Sequence, residues 1–290
     1  MNSASALKQK IAYKVKHRVF YRSFLSFFLF EKFFYRRYRT KAGSDHITSP
    51  SGRRFAIAPL IEELKANGIV ALPGYYGPEQ AETLHDEILA LNAKIRDGSI
   101  PADEAGNLFS GEVAWSKVLE KQGILRIHNV QKINEKVAAF HTDPNFSLLG
   151  SLYFGKPVIN LNTISQYNEP TESGCRGYHI DSHLNQFKSF IYLNDVTEEN
   201  GPHDYLIGSN SISLTNMRRA CISLKTQDTS VSDEEAINTG YSHRTFPGSK
   251  GTVLLVDTRG IHQGANLRKG HRLALTGYYY LAEDWPNHAA

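Results

Sequence analysis

His179 and Asp181 stand two residues apart in the stretch Gly177-Tyr178-His179-Ile180-Asp181-Ser182-His183. On an extended segment side chains alternate, so both project from the same face. An imidazole and a carboxylate on one face are two-thirds of a site in which two histidines and a carboxylate hold a transition metal and leave its other positions open. His262, a short turn beyond the apolar run Gly251–Asp257, is a further donor of the right kind. Arg272 then opens another apolar run. An arginine grips a carboxylate with two parallel hydrogen bonds and keeps its proton, which suits the anchoring of a dicarboxylate. Each residue also has a plainer reading. His183 extends the pattern to His-x-Asp-x-His and stands as an alternative to His179. His128 lies on a strand-like run and reads as a hydrogen-bonded structural histidine. Arg272, beside Arg268, Lys269 and His271, has the surface ion pair as its alternative. Cys175 and Cys221 show no ligand spacing.

The elements that must position these residues are mostly short strands. Val158 to Gln166, Phe187 to Leu193, Tyr205 to Ile207, Gly251 to Asp257 and Leu273 to Leu281 are apolar or alternating runs, and Asn200-Gly201-Pro202 marks a turn. This rhythm predicts a sandwich or jelly roll rather than β-α-β units. Upstream, a helix is expected from Pro59 to Asn67, stopped by Gly68, then a strand Ile69–Leu72 and a helix opened by Pro78 that ends near Asp97. Gly123–Val130 alternates like a strand, and helices are expected at Glu135–His141 and Phe146–Phe154. Residues 99–122 and 211–247 read as irregular excursions, the second a lid or insertion. Residues 44–56 are polar, contain Pro50-Ser51-Gly52 and read as a linker.

Composition bounds the rest. Apolar residues are 41% and charged residues 21% of 290, ordinary for a globular protein. Two cysteines make no disulfide framework, so a reducing cytoplasm is the expected compartment. The net charge of +4 hides an asymmetry: residues 1–43 carry eleven Lys/Arg and one acid, +10, which leaves −6 for the remainder. A nucleic-acid-binding body is therefore not expected. The arm interleaves its charges with aromatics, among them Phe20, Phe24, Phe27, Phe28, Phe33 and Phe34. Its longest uncharged run, Ser23–Phe30, is too short to span a bilayer, which takes about 20 residues. Basic residues mixed with bulky aromatics suit an anionic membrane surface. Packing of the arm on its own domain is the plainer alternative. The expected division is a basic aromatic arm, 1–43, a linker, 44–56, and a catalytic domain, 57–290.

The ordered set His179-x-Asp181, His262 and Arg272 lies on strand-like segments. With Tyr178-His179-Ile180-Asp181, Phe190-Ile191-Tyr192-Leu193-Asn194-Asp195-Val196-Thr197-Glu198-Glu199-Asn200-Gly201-Pro202, Gly208-Ser209 and Gly251–Gly264, the chain resembles the phytanoyl-CoA dioxygenase family of Fe(II)/2-oxoglutarate oxygenases over residues 66–282. The resemblance implies a mainly β fold with flanking helices around a double-stranded β-helix, a cupin-like jelly roll. It implies that His179, Asp181 and His262 hold Fe(II) and that Arg272 binds the distal carboxylate of 2-oxoglutarate. Gln166 is a further candidate for contact with that co-substrate. O2 is the second co-substrate, and the expected reaction is hydroxylation of a C–H bond with release of succinate and CO2. The retained Asp181 favours hydroxylation or desaturation over halogenation. Two positions depart from the family: Ile207-Gly208-Ser209-Asn210 stands where Pro-Gly-Ser-His is common, and Gly264 where a hydroxyl residue is common. The arm points to a membrane-associated substrate such as a lipid or lipid-linked sugar, for example a lipopolysaccharide inner-core sugar, with a peripheral place on the cytoplasmic membrane face. A soluble metabolite and a catalytically silent binding protein are the alternatives.

Overall fold

Successive side chains along the strands join different apolar clusters, which places two layers around one sheet. In the strand Gln186–Tyr192, Phe187 and Ile191 join the main apolar cluster with the helices, whereas Phe190 and Tyr192 join a second cluster on the opposite face. Val253 and Leu255 segregate from Leu254 and Val256 in the same manner. Side chains of period two with both faces covered leave no position for solvent, so the run Val253–Asp257 is buried throughout.

The computed structural model describes residues 44–103, 112–120, 123–170, 177–181, 185–211, 213, 216, 219 and 228–285. In chain order the elements are β1 (His46–Thr48), β2 (Arg54–Ala56), α1 (Ile57–Asn67), β3 (Ile69–Leu72), α2 (Pro78–Arg96), β4 (Ala102–Asp103), β5 (Ala114–Ser116), α3 (Lys117–Glu120), β6 (Ile124–His128), α4 (Glu135–His141), α5 (Pro144–Phe154), β7 (Val158–Asn168), β8 (Gln186–Tyr192), β9 (His203–Ile207), α6 (Asp233–Asn238), β10 (Ser242–Phe246), β11 (Val253–Asp257), β12 (His262–Gly264) and β13 (Arg272–Leu281). An eight-stranded major sheet runs β3-β11-β8-β13-β7-β6-β5-β4, and a minor sheet runs β10-β9-β12. The segment 178–180 adds to the minor sheet through a bridge from His179 to His262, and Ser230 bridges His179 from the other side. The minor sheet covers the inner face of the major one and completes the jelly roll.

The helices cover the outer face. Ile57, Leu60, Ile61 and Leu64 form the buried stripe of α1, and Gly68 ends it in the left-handed region with its N–H donated to the Leu64 carbonyl. Pro144 opens α5, and Asp143 caps it by accepting from the Asn145 N–H at 2.9 Å. Residues 44–56, expected as a linker, form the β1–β2 hairpin instead. Ile47 is buried there, and Arg53 and Ser51 bond the Pro73 and Gly74 carbonyls. The polar composition concealed an alternation of two apolar residues, Ile47 and Phe55, which pair directly across the hairpin. The excursions also contain structure: β4 and β5 extend the major sheet, and β10 lies within 211–247.

One tyrosine ties the sheets together. Tyr205 of β9 donates to the Asp257 carbonyl at 2.8 Å and passes over Gly68 and Gly260. A Cβ on Gly260 would stand 1.8 Å from the Tyr205 hydroxyl oxygen. Gly260→Ala is expected to cost about 1–3 kcal/mol in urea unfolding. The same change made with Tyr205→Phe should cost less than the sum of the two, because the clash is shared. An unchanged urea midpoint for Gly260→Ala would show that the turn has slack.

His141, at the end of α4, packs its Nδ1 2.9 Å from the Thr163 hydroxyl. Burial lowers its pKa from 6.5 to about 4. Between those values the unfolded chain takes up a proton that the folded chain refuses, so stability falls with pH across that window and no further below it. His141→Gln is expected to flatten the loss between pH 7 and pH 5 in urea titrations; an equal loss in both proteins would place the acid sensitivity elsewhere.

Candidate metal and co-substrate site

The bridge between His179 and His262 is a doubly hydrogen-bonded antiparallel pair. Each N–H donates to the other residue's carbonyl at 3.0 Å. Residues paired in this way point their side chains to one face. The two imidazoles therefore emerge together, with ring centroids 4.6 Å apart. Two residues after His179 the Asp181 N–H donates to the Thr258 carbonyl at 3.1 Å, and this turns its carboxylate back over the pair. The Asp181 oxygens lie 3.6 Å from His179 Nε2 and 3.3 Å from His262 Nε2.

The tautomers follow from the carbonyls behind the rings. His179 Nδ1 lies 2.8 Å from the Gly177 carbonyl oxygen, and His262 Nδ1 lies 2.9 Å from that of Gly260. A carbonyl only accepts, so each Nδ1 carries a hydrogen, and Nε2 is the ring atom left to offer a lone pair to a metal. Three acceptor atoms thus converge, all within 4.8 Å of one another. Deprotonated at Nε2, the two rings and the carboxylate form a two-histidine, one-carboxylate donor set for a divalent cation. Adjacent octahedral ligands at 2.0–2.2 Å from a metal stand about 3 Å apart, close to the spacing found here.

Lys188 of β8, buried, bonds Asp181 Oδ2 through its ammonium, which also lies 4.1 Å from the centre of the Tyr278 ring. Burial alone raises the Asp181 pKa, but the Lys188 ammonium leads the groups that outweigh it and hold the carboxyl well below the usual range. Lys188 escaped the sequence reading because Phe187-Lys188-Ser189-Phe190 alternates like a strand with one wet face. The minor sheet covers that face.

Arg272 is buried at the start of β13, with Nη2 donating to Asn168 Oδ1 at 3.2 Å and Nη1 to the Gly201 carbonyl. Its guanidinium lies over Gly264. A Cβ there would stand 3.0 and 3.1 Å from the two terminal nitrogens, which accounts for a residue without a side chain at this position. On β12, His262 and Gly264 are two apart and face the same way, about 7 Å along the strand. The three donor residues and the Arg272 guanidinium thus lie along one face of β12. Gln166 donates to Asn168 Oδ1 at 2.9 Å and accepts from Arg126 Nε at 3.0 Å, so it reaches Arg272 through Asn168.

His203 on β9 is another residue absent from the sequence reading. Its ring lies 5.4 Å from that of His262 at an interplanar angle of 22°, and 5.0 Å from Phe190. Burial, with His262, Arg272 and Lys188 nearby, lowers its pKa well below the usual value and keeps it neutral. Beyond Lys188 the interior wall is aromatic, with Tyr278, Tyr280 and Trp285 against Ile164. Asn210, where the family resemblance led to a histidine, donates to the buried Tyr153 hydroxyl at 3.1 Å. His128 is buried at the end of β6 and does not join the metal-donor group. A second grouping, Glu82, His85 and Asp86, lies on exposed α2, with Glu82 paired to Lys250. His183, Cys175, Cys221 and residues 1–43 fall outside the described residues.

Residues 64–272 match the sequence model of the family described as phytanoyl-CoA dioxygenase. Among solved structures, the chain is similar to the epimerase SnoN in complex with Fe3+, alpha-ketoglutarate and nogalamycin RO, at 16% identity and a TM-score of 0.57, covering 78% of this chain and 84% of that one. EctD from S. alaskensis with bound Fe gives 16% identity and 0.58 over 78% and 77% of the two chains. HygX from Streptomyces hygroscopicus with nickel and 2-oxoglutarate gives 14% and 0.52 over 77% and 87%. At these identities the likeness is one of fold. No curated protein matches the chain in sequence. No helix among the described residues is long and apolar enough to cross a membrane.

Removing one donor tests the site. Asp181→Ala and His262→Ala are each expected to abolish the weak visible band that 2-oxoglutarate produces with Fe(II) protein in the absence of oxygen. Lys188→Met should keep the band and lower Fe(II) affinity roughly 10- to 100-fold, the usual effect of losing a group that orients a ligand. Wild-type Fe(II) titration by Lys188→Met would show that the lysine does not position the carboxylate.

Proposed function

The chain belongs to the phytanoyl-CoA dioxygenase family and is an Fe(II)/2-oxoglutarate-dependent oxygenase; within that class we propose that it hydroxylates a C–H bond of a membrane-associated substrate such as a lipid or a lipid-linked sugar. The observation that carries the chemistry is the convergence of three lone-pair donors, His179 Nε2, His262 Nε2 and an Asp181 oxygen, inside the barrel. In this reading those residues hold Fe(II). When bound, iron with 2-oxoglutarate and O2 supplies the oxidising power, yielding succinate, CO2 and a hydroxylated carbon.

The protein's own part is positioning. The Gly177 and Gly260 carbonyls aim the two imidazoles. Lys188 holds the Asp181 oxygen nearest His262 and so limits how the carboxylate can turn. Arg272 takes the distal carboxylate of 2-oxoglutarate, with Asn168 and Gln166 fixing its plane. Tyr278, Tyr280 and Trp285 line the inner wall next to Lys188, away from Arg272. Their rings offer apolar faces to the C–H side of a sugar or lipid and keep water from the reacting carbon.

Support for a membrane-associated substrate comes from residues 1–43, where eleven basic residues alternate with aromatics. The soluble-metabolite reading is supported by HygX, whose structure is also known with hygromycin B bound, and by SnoN with nogalamycin RO. Co-sedimentation separates the two. Full-length protein is expected to pellet with phosphatidylserine-containing vesicles, and protein lacking residues 1–43 to stay in the supernatant while retaining the Fe(II)–2-oxoglutarate band. Equal behaviour of both proteins would return the search, by succinate release, to soluble metabolites.

A further inference from the structure

His203 is directly opposite Gly264 in the register of β9 and β12. Residues opposed in this way share a face, so the imidazole stands beside the guanidinium that occupies the space over Gly264. It is also stacked on His262, one of the three metal donors. His203 therefore lies between the two ends of the path that a 2-oxoglutarate molecule takes from metal to Arg272. Its backbone is fixed there, since its N–H donates to the Tyr192 hydroxyl at 3.0 Å.

His203 is 6% exposed, and its Nε2 is buried with no hydrogen-bond partner. A buried polar atom without a partner is unfavourable and uncommon, and a ligand that completes it removes the cost. Stacking alone does not call for nitrogen, and a phenylalanine at this position would stack as well. An imidazole carries at least one N–H in either protonation state, and a carboxylate only accepts. We infer that His203 binds the co-substrate, donating a hydrogen bond to the carboxylate of 2-oxoglutarate that Arg272 anchors. It does from across the sheet what the glycine at 264 has no side chain to do. The inference rests on the reading of the site as an Fe(II)/2-oxoglutarate centre.

The test is anaerobic titration of the full-length Fe(II) protein with 2-oxoglutarate, followed by the visible band, with Fe(II) affinity measured separately. His203→Phe keeps the stack and removes the N–H; His203→Leu serves if the phenylalanine protein does not fold. Either is expected to raise the 2-oxoglutarate Kd about tenfold, the loss of one hydrogen bond to a charged group, with Fe(II) affinity unchanged. His203→Gln, whose amide can donate, should recover most of that loss. Pyruvate, which lacks the distal carboxylate, should bind the wild type and His203→Phe equally. Wild-type 2-oxoglutarate affinity in His203→Phe would reduce the residue to packing and overturn the inference. An equal loss for pyruvate would overturn the assignment to the distal carboxylate. If the wild-type Fe(II) protein gives no band with 2-oxoglutarate, the site reading itself fails, which is a different result from a band that His203 does not affect.

Discussion

Two hydrogen bonds of 3.0 Å between the backbones of His179 and His262 hold the site together. They join the segment 178–180 to β12 and make a bridge of two residues distant in sequence. Both imidazoles take their direction from that bridge, because hydrogen-bonded antiparallel partners share a face. Neighbouring pairings stiffen it. On one side Val231 N–H donates to the Tyr178 carbonyl and Ile180 N–H to that of Thr229; on the other, β12 is paired to β9. The donor geometry is thus a property of the closed minor sheet. Neither histidine segment has it alone.

The turn that delivers His262 is held from the opposite direction by a buried ion pair. Asp257 accepts from Arg259 and from the Tyr153 hydroxyl at 2.6 Å, and Arg259 reaches Asn185 Oδ1 at 3.2 Å. Removing one partner of such a pair would strand a charge in the core, so the pair behaves as a rigid unit. Ser209 Oγ accepts from the Ile261 N–H at 2.8 Å and closes the same turn. These contacts explain how the chain passes from the major sheet into β12 with the ring of His262 correctly aimed.

The two faces of the major sheet divide the work. The outer face, with α1, α2, α4 and α5, carries most of the buried apolar side chains and therefore most of the hydrophobic stabilisation. The inner face carries Lys188 and Arg272, and the minor-sheet side opposite it adds His203 and Asp181; such groups are costly to bury, and the Lys188–Asp181 pair offsets part of that cost. Such an arrangement lets the interior of the barrel be shaped by chemistry while stability is supplied elsewhere.

Local residue type and spacing were enough to determine much of this protein. The apolar or alternating runs Phe187–Leu193, Gly251–Asp257 and Leu273–Leu281 marked strands, Gly68 marked a helix end, and His179-x-Asp181 marked a shared face, since each of these depends only on neighbours within a few residues. His262 and Arg272 could be placed on strand-like segments and assigned roles through a family resemblance. Their meeting could not be derived from spacing, because it depends on which strands pair. Lys188 and His203 stayed hidden for the same reason: each reads as an ordinary polar position on an alternating strand. Residues 44–56 were misread because two apolar residues among polar ones carry too little periodicity to announce a hairpin. Only the closing of one sheet over the other decided that these polar side chains face inward, where burial turns Lys188 into the partner of the Asp181 carboxylate and leaves the Nε2 of His203 without one.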